Sequence, residues 1–158
     1  GMGESISNGL EVIQENGKNR IKVNAKNSEV SYVIDGIEYA ADSLKNGIPD
    51  EIATVNMITS PTNAKKSYVI INTKQKKGQF ISYANGVLKY KYNKQEYTLN
   101  PEKLEEPALV INNRLTRSFN IDPVQIIQIR PASELERQLF GAPSAQVIIV
   151  TDKMGFFF

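Results

Sequence analysis

The chain contains no histidine and no cysteine, and those two absences exclude more chemistry than any motif supplies. Without them there is no Ser-His-Asp or Cys-His relay within one chain. Ordinary zinc sites lose their usual ligands. There are no disulfides, so the redox compartment is left open. No stretch approaches the roughly 18 consecutive apolar residues of a membrane-spanning helix, so no span is expected. Neither G-x-x-x-x-G-K-[ST] nor G-x-G-x-x-G occurs, which leaves phosphate-cradling loops unsupported. A net charge of +2 sets up no field that demands nucleic acid or an anionic membrane. The 17 acidic residues make some carboxylate pair inevitable, as a glycosidase would need, but none sits in a distinctive motif. The chain therefore reads as a non-enzyme. It offers no catalytic, cofactor-binding or metal-binding residue, and no cofactor is expected.

What is present is globular. Of 158 residues, 41% are hydrophobic and 23% charged, which is neither a disordered nor a fibrous composition. That length makes one ordinary domain or two small ones. It is enough to bury roughly 68–70% of the unfolded surface. Gly1 before Met2 is the kind of residue a cleaved tag leaves, and a chain trimmed of a secretory leader would look the same.

The second half carries the clearest pattern. The stretch Pro107 to Lys153 opens on the apolar run Leu109-Val110-Ile111, closed by Asn112-Asn113. It continues through the turn Ile121-Asp122-Pro123, a strand-like run from Ile126 to Arg130, and a helix-like piece from Ser133 to Phe140 stopped by Gly141. It ends on the β-branched run Val147 to Thr151. Val and Ile runs bounded by Asn, Pro and Gly are the signature of buried strands. Ser133 and Glu136 have the S-x-x-E spacing of a capping box. Leu135, Leu139 and Phe140 share one helical face, which predicts that Leu139 is buried beneath the closing strand.

The same landmarks occur earlier, in weaker form and in the same order. Asn8-Gly9 and Asn85-Gly86 are 77 positions apart, as are Val33-Ile34-Asp35 and Val110-Ile111-Asn112. Ile48-Pro49-Asp50 answers Ile121-Asp122-Pro123, and Val69-Ile70-Ile71 answers Ile148-Ile149-Val150. Such ordered self-similarity favours duplication. Each half reads as a strand pair, a strand ending in a turn, a linker, a strand, a connection and a last strand. Thr59 to Lys66 is too short and too rich in Ser-Pro and Thr-Asn for the helix of the second half. The expected fold is α+β: two pseudo-symmetric, strand-rich repeats over 1–78 and 79–158, each a small sheet, with one short helix in the second.

The unit resembles the plug domain of TonB-dependent outer-membrane receptors, especially the Bacteroidetes type. Tyr32-Val33-Ile34-Asp35-Gly36 is similar to the family's opening V-I-D-G strand. Ile48-Pro49-Asp50-Glu51-Ile52 and Ile121 to Ile126 are similar to its I-N-P-D-D-I element, Leu139-Phe140-Gly141 to its L-Y-G, and Val69 to Lys74 and Val147 to Lys153 to its closing strand. The chain departs from the pattern at Asn112-Asn113, which stands for Asp-Gly, and at Pro131, in a strand position. It also lacks a helix in the first repeat, and barrel strands throughout. The resemblance implies a periplasmic or cell-envelope interaction module more than a transporter.

Other features have two readings each. Lys65, Lys66, Lys74, Lys76 and Lys77, followed by Tyr83, Tyr90, Tyr92 and Tyr97, offer the basic and aromatic mixture that binds single-stranded nucleic acid. Leu88, Tyr90 and Tyr92 alternate with Lys89 and Lys91, however, as a half-buried strand does, and lysines guard sheet edges. No nucleic-acid partner is expected. Asp35-Gly36 is above all a turn. Phe156-Phe157-Phe158 either packs onto the body or forms an apolar patch for a partner. Two functional classes remain. One is a non-catalytic binding or scaffolding protein whose partner is another envelope protein. The other is a small-molecule binder with its ligand in a groove between the halves.

Overall fold

The computed structural model describes residues 3–6, 10–15, 17–23, 29–44, 47–48, 50–74 and 79–152. The chain forms two compact units that divide between Lys74 and Gln75. Phe156, Phe157 and Phe158, Lys76 and Lys77, and the Asn8-Gly9 landmark lie outside the described residues. The described chain is strand-rich with one short α-helix, between α+β and mostly β.

The first unit begins with β1 (Gly3–Ile6), β2 (Leu10–Glu15) and β3 (Lys18–Val23) in an antiparallel meander. Next come β4 (Glu29–Ile34), β5 (Ile37–Ala40), β6 (Ile52–Thr59) and β7 (Lys66–Thr73). They form a four-stranded sheet ordered β5-β4-β7-β6, with β4 and β7 parallel and both outer pairs antiparallel. A 3-10 turn at Ala41–Leu44 begins the connection from β5 to β6.

The second unit has a meander of β8 (Phe80–Ala84), β9 (Val87–Tyr92) and β10 (Gln95–Leu99). Its four-stranded sheet is built from β11 (Leu109–Ile111), β12 (Arg114–Thr116), β13 (Ile126–Pro131) and β14 (Val147–Thr151), ordered β12-β11-β14-β13. Here β11 and β14 are the parallel pair. The single described α-helix, α1 (Glu134–Leu139), joins β13 to β14.

The strand patterns explain the layering. β14 is buried at every position, because alternate residues point into different layers. Val147 and Ile149 join Leu109, Ile129 and Phe119, together with Leu88 and Tyr90 from the meander. Ile148 and Val150 join Val110, Ala142 and Ala145 on the other face. In β9, Leu88 and Tyr90 are buried while Lys89 and Lys91 are exposed, which is the alternation read from the sequence. In the first unit Tyr32, Val55, Val69 and Ile71 form the core with Ile48 and Ile52. Val33 and Ile70, which point to the opposite face, are buried as well.

Two-residue turns close four of the hairpins. Both central residues have positive φ at Asp35-Gly36 (49° and 86°), Asn85-Gly86 (55° and 77°), Asn93-Lys94 (49° and 66°) and Asn112-Asn113 (50° and 67°). This is the type I′ pattern that matches strand twist. Asn112-Asn113 thus reproduces the backbone of Asp35-Gly36 without a glycine. Pro131 ends β13, an edge strand, where the missing N–H does least harm.

Three expectations need correction. Among the described residues each unit holds two sheets and not one small sheet. The meanders carry a third strand, and the opening strands of the four-stranded sheets fold back as hairpins through β5 and β12. Leu139 is only half-buried, and the buried position on α1 belongs to Glu136. Ala132 and Phe140 flank Glu136 at a spacing of four and pack on the second face of the sheet, so the inward side of the helix is the 132/136/140 side.

Candidate functional site

The residues singled out in the sequence are mostly engaged in structure. The Asp35 carboxylate accepts hydrogen bonds from the Thr73 amide at 2.9 Å and the Thr73 hydroxyl at 2.5 Å. It clasps the β4–β5 turn to the end of β7. The second unit does the same with a neutral group. Asn112 Oδ1 accepts from the Thr151 amide at 2.9 Å, and its Nδ2 donates to Thr151 Oγ1 at 2.8 Å. The Asp-Gly pair is the turn its sequence implied, and the structure adds the tether to Thr73.

The lysines and tyrosines are distributed likewise. Lys66 pairs with Glu38 at 3.4 Å and lies 4.9 Å from the Tyr68 ring centroid. The Tyr68 side chain first, and the Glu38 carboxylate after it, hold its ammonium above the ordinary value. Lys74 pairs with Glu51 at 2.7 Å. Tyr90 stacks on Tyr97 with centroids 5.0 Å apart, and Tyr83 on Phe119 at 4.6 Å. Burial raises the Tyr90 phenol well above the usual tyrosine range, with Tyr97 adding to it.

The most buried charges were missed by sequence reasoning. Arg130 on β13 is 1% exposed and Glu136 on α1 is 2% exposed. They form a two-pronged pair, Nη1 to Oε1 at 2.5 Å and Nη2 to Oε2 at 2.7 Å. Arg130 Nε also donates to Gln128 at 2.8 Å. Glu136 Oε1 further accepts from the Ser133 amide at 3.1 Å, and Ser133 Oγ accepts from the Glu136 amide at 3.2 Å. The capping box and the ion pair are therefore one network that pins α1 to the sheet. The S-x-x-E spacing gave half of it, and nothing in a linear pattern marks Arg130 as its partner. A fully paired, buried network of this kind is structural in character.

The second unit carries an open surface depression. A cleft of about 380 Å³ is lined by Leu104, Glu105, Glu106, Arg137, Pro143, Ser144, Ala145 and Gln146. Its walls are two pinned loops. Arg117 donates to the carbonyls of Leu104 and Glu105. Ser144 Oγ donates to the Pro107 carbonyl at 2.5 Å, and the Gln146 amide to that of Ala108 at 2.7 Å. Among the described residues, no group of three or more Asp and Glu side chains is placed to hold a metal ion. No helix among them is long and apolar enough to cross a membrane. Comparison with protein-family models, with curated proteins and with solved structures returns no match to this chain.

Proposed function

We propose that the chain is a non-catalytic binding or scaffolding module of the cell envelope, built from two pseudo-symmetric plug-like repeats and working through protein–protein contacts. The observation that carries this reading is the outer edge of the first four-stranded sheet, β5, which pairs on one side only among the described residues. β5 is exposed along its whole length, with Ile37 58% and Tyr39 37% exposed on the same face. A short exposed edge that presents apolar side chains is a template for a partner's strand. β12 presents Leu115 from the corresponding edge of the second unit. The repeat half of the proposal is supported by the shared strand order and by the two Thr clasps. An experimental structure in which β4–β7 failed to superpose on β11–β14 would remove it.

The contact itself is tested with a photo-crosslinking residue at Tyr39, expressed in cells of the source organism. One discrete envelope protein should be trapped there, and Ile37→Lys should abolish the adduct without unfolding the chain. Adducts that survive Ile37→Lys, or none at all, would reject the edge as the contact surface. A second reading, a small-molecule binder, is favoured by the cleft at 104–106, 137 and 143–146.

A further inference from the structure

The charges around the cleft are opposite in sign and leave one another alone. Arg137 donates from Nη1 to the Ala132 carbonyl at 3.0 Å, and its remaining guanidinium nitrogens have no partner among the described residues. The carboxylates of Glu105 and Glu106 make no ion pair there either, unlike Glu38, Glu51 and Glu136. A cation and two anions thus line one cavity without neutralising each other. The same lining also includes apolar residues, Leu104, Pro143 and the buried Ala145.

These groups match a ligand that carries both charges on its own ends. A guanidinium offers a planar fork of donors to a carboxylate, and two carboxylates together receive an ammonium. The guanidinium makes no ion pair with either carboxylate, so a single ligand has to bring one group to each. The cavity of about 380 Å³ falls within the usual range for small-molecule sites, about 300–1,000 Å³.

We propose that this cleft binds a short zwitterionic peptide or peptide-like molecule. Its carboxylate lies on Arg137, its ammonium on Glu105 and Glu106, and an aliphatic side chain on the Leu104–Ala145 floor. The proposal rests on the small-molecule reading of the cleft and is independent of the β5 contact surface.

The test is an amide NMR titration of the full chain with glycyl-leucine, N-acetyl-glycyl-leucine and glycyl-leucinamide. Free glycyl-leucine should give saturable shifts at 104–106 and 143–146, and each blocked form should bind at least about tenfold more weakly, the factor a single lost charge contact supplies. Arg137→Gln should erase the preference for the free acid over the amide. The pair Glu105→Gln and Glu106→Gln should erase the preference for the free amine over the acetylated form. If Arg137→Gln disturbs the spectrum globally, the glutamate pair, whose side chains are exposed, carries the test alone. Equal binding of free and blocked peptides in the cleft would overturn the zwitterion assignment while leaving a ligand site. No shifts in the cleft with any of the three would overturn both.

Discussion

The two units run the same strand order yet cover their four-stranded sheets differently. In the first, β6 and β7 continue as a hairpin beyond the Met57–Val69 pair to Thr59–Ser67, and the chain turns through residues 60–65. In the second, the ladder stops at Pro131–Val147, and the chain leaves the sheet to build α1. Just past the bulge in the outer strand, the first unit buries a short neutral pair, Asn72 Nδ2 to Thr54 Oγ1 at 3.0 Å. The second buries Gln128, Arg130 and Glu136. The difference teaches that sheet order depends on strands and turn clasps, while the cover is a local choice with its own energetics.

The largest effect should come from breaking that cover. Removing one member of a buried ion pair costs about 3–5 kcal/mol, because the other charge is left unpaired in a low dielectric. Glu136→Ala should therefore destabilise the second unit by about that amount, with hydrogen exchange accelerated in 126–151 and unchanged in 29–73. The double change Arg130→Met with Glu136→Leu should be far milder than either single change, since apolar residues of similar volume remove both charges. A double variant as unstable as Glu136→Ala would mean that the pair is not what holds α1.

The clasps give the next contrast. Hydrogen bonds to a charged group are worth about 1.5–3 kcal/mol, and those between neutral groups about 0.5–1.5 kcal/mol. Asp35→Gly should thus cost more than Asn112→Gly, glycine being used because both sites have positive φ. Asp35→Asn installs the second unit's chemistry in the first and should recover most of the loss. Urea denaturation of the three variants ranks them, and an Asn112→Gly loss larger than that of Asp35→Gly reverses the assignment.

Much of this was legible in the sequence, for identifiable reasons. The closing strands were readable because Val69–Ile71 and Val147–Val150 are continuous β-branched runs, which suit strands covered on both sides. The helix was readable from Ser133 and Glu136. β5 and β12 were not, because Ile37–Ala40 and Arg114–Thr116 are short and exposed and lack a buried alternation. The inward side of α1 was misread because leucines outrank glutamate in any apolar pattern, and only the fold brings Arg130 to Glu136. The cleft was invisible for a similar reason: its lining comes from three separated segments.

The helix itself separates capping from packing. Ser133→Ala removes the cap and should cost about 0.5–2 kcal/mol. Leu139→Ala should fall below the roughly 2–5 kcal/mol of a fully buried leucine, because Leu139 is half-buried. The two effects should be of similar size, measured as shifts in the urea midpoint at unchanged slope. A Leu139→Ala loss in the full core range would restore the sequence-based orientation of the helix.

The smallest effect at neutral pH should be at Tyr90, and it grows only in alkali. Burial raises the folded-state pKa of Tyr90 above that of an unfolded tyrosine, which is about 10, with Tyr97 adding to the shift. The folded state therefore holds the phenolic proton more tightly than the unfolded chain. By linkage, the stability from keeping that phenol neutral is fully present below about pH 10 and is lost as pH rises from there through the folded-state value. Tyr32 in the first unit is also raised by burial, so both units should weaken on the alkaline side. Tyr90→Phe should flatten the decline above about pH 10 in the second unit alone, seen as exchange protection retained in 80–99 while 29–73 still loosens. An unchanged alkaline profile in Tyr90→Phe would show that another group governs it.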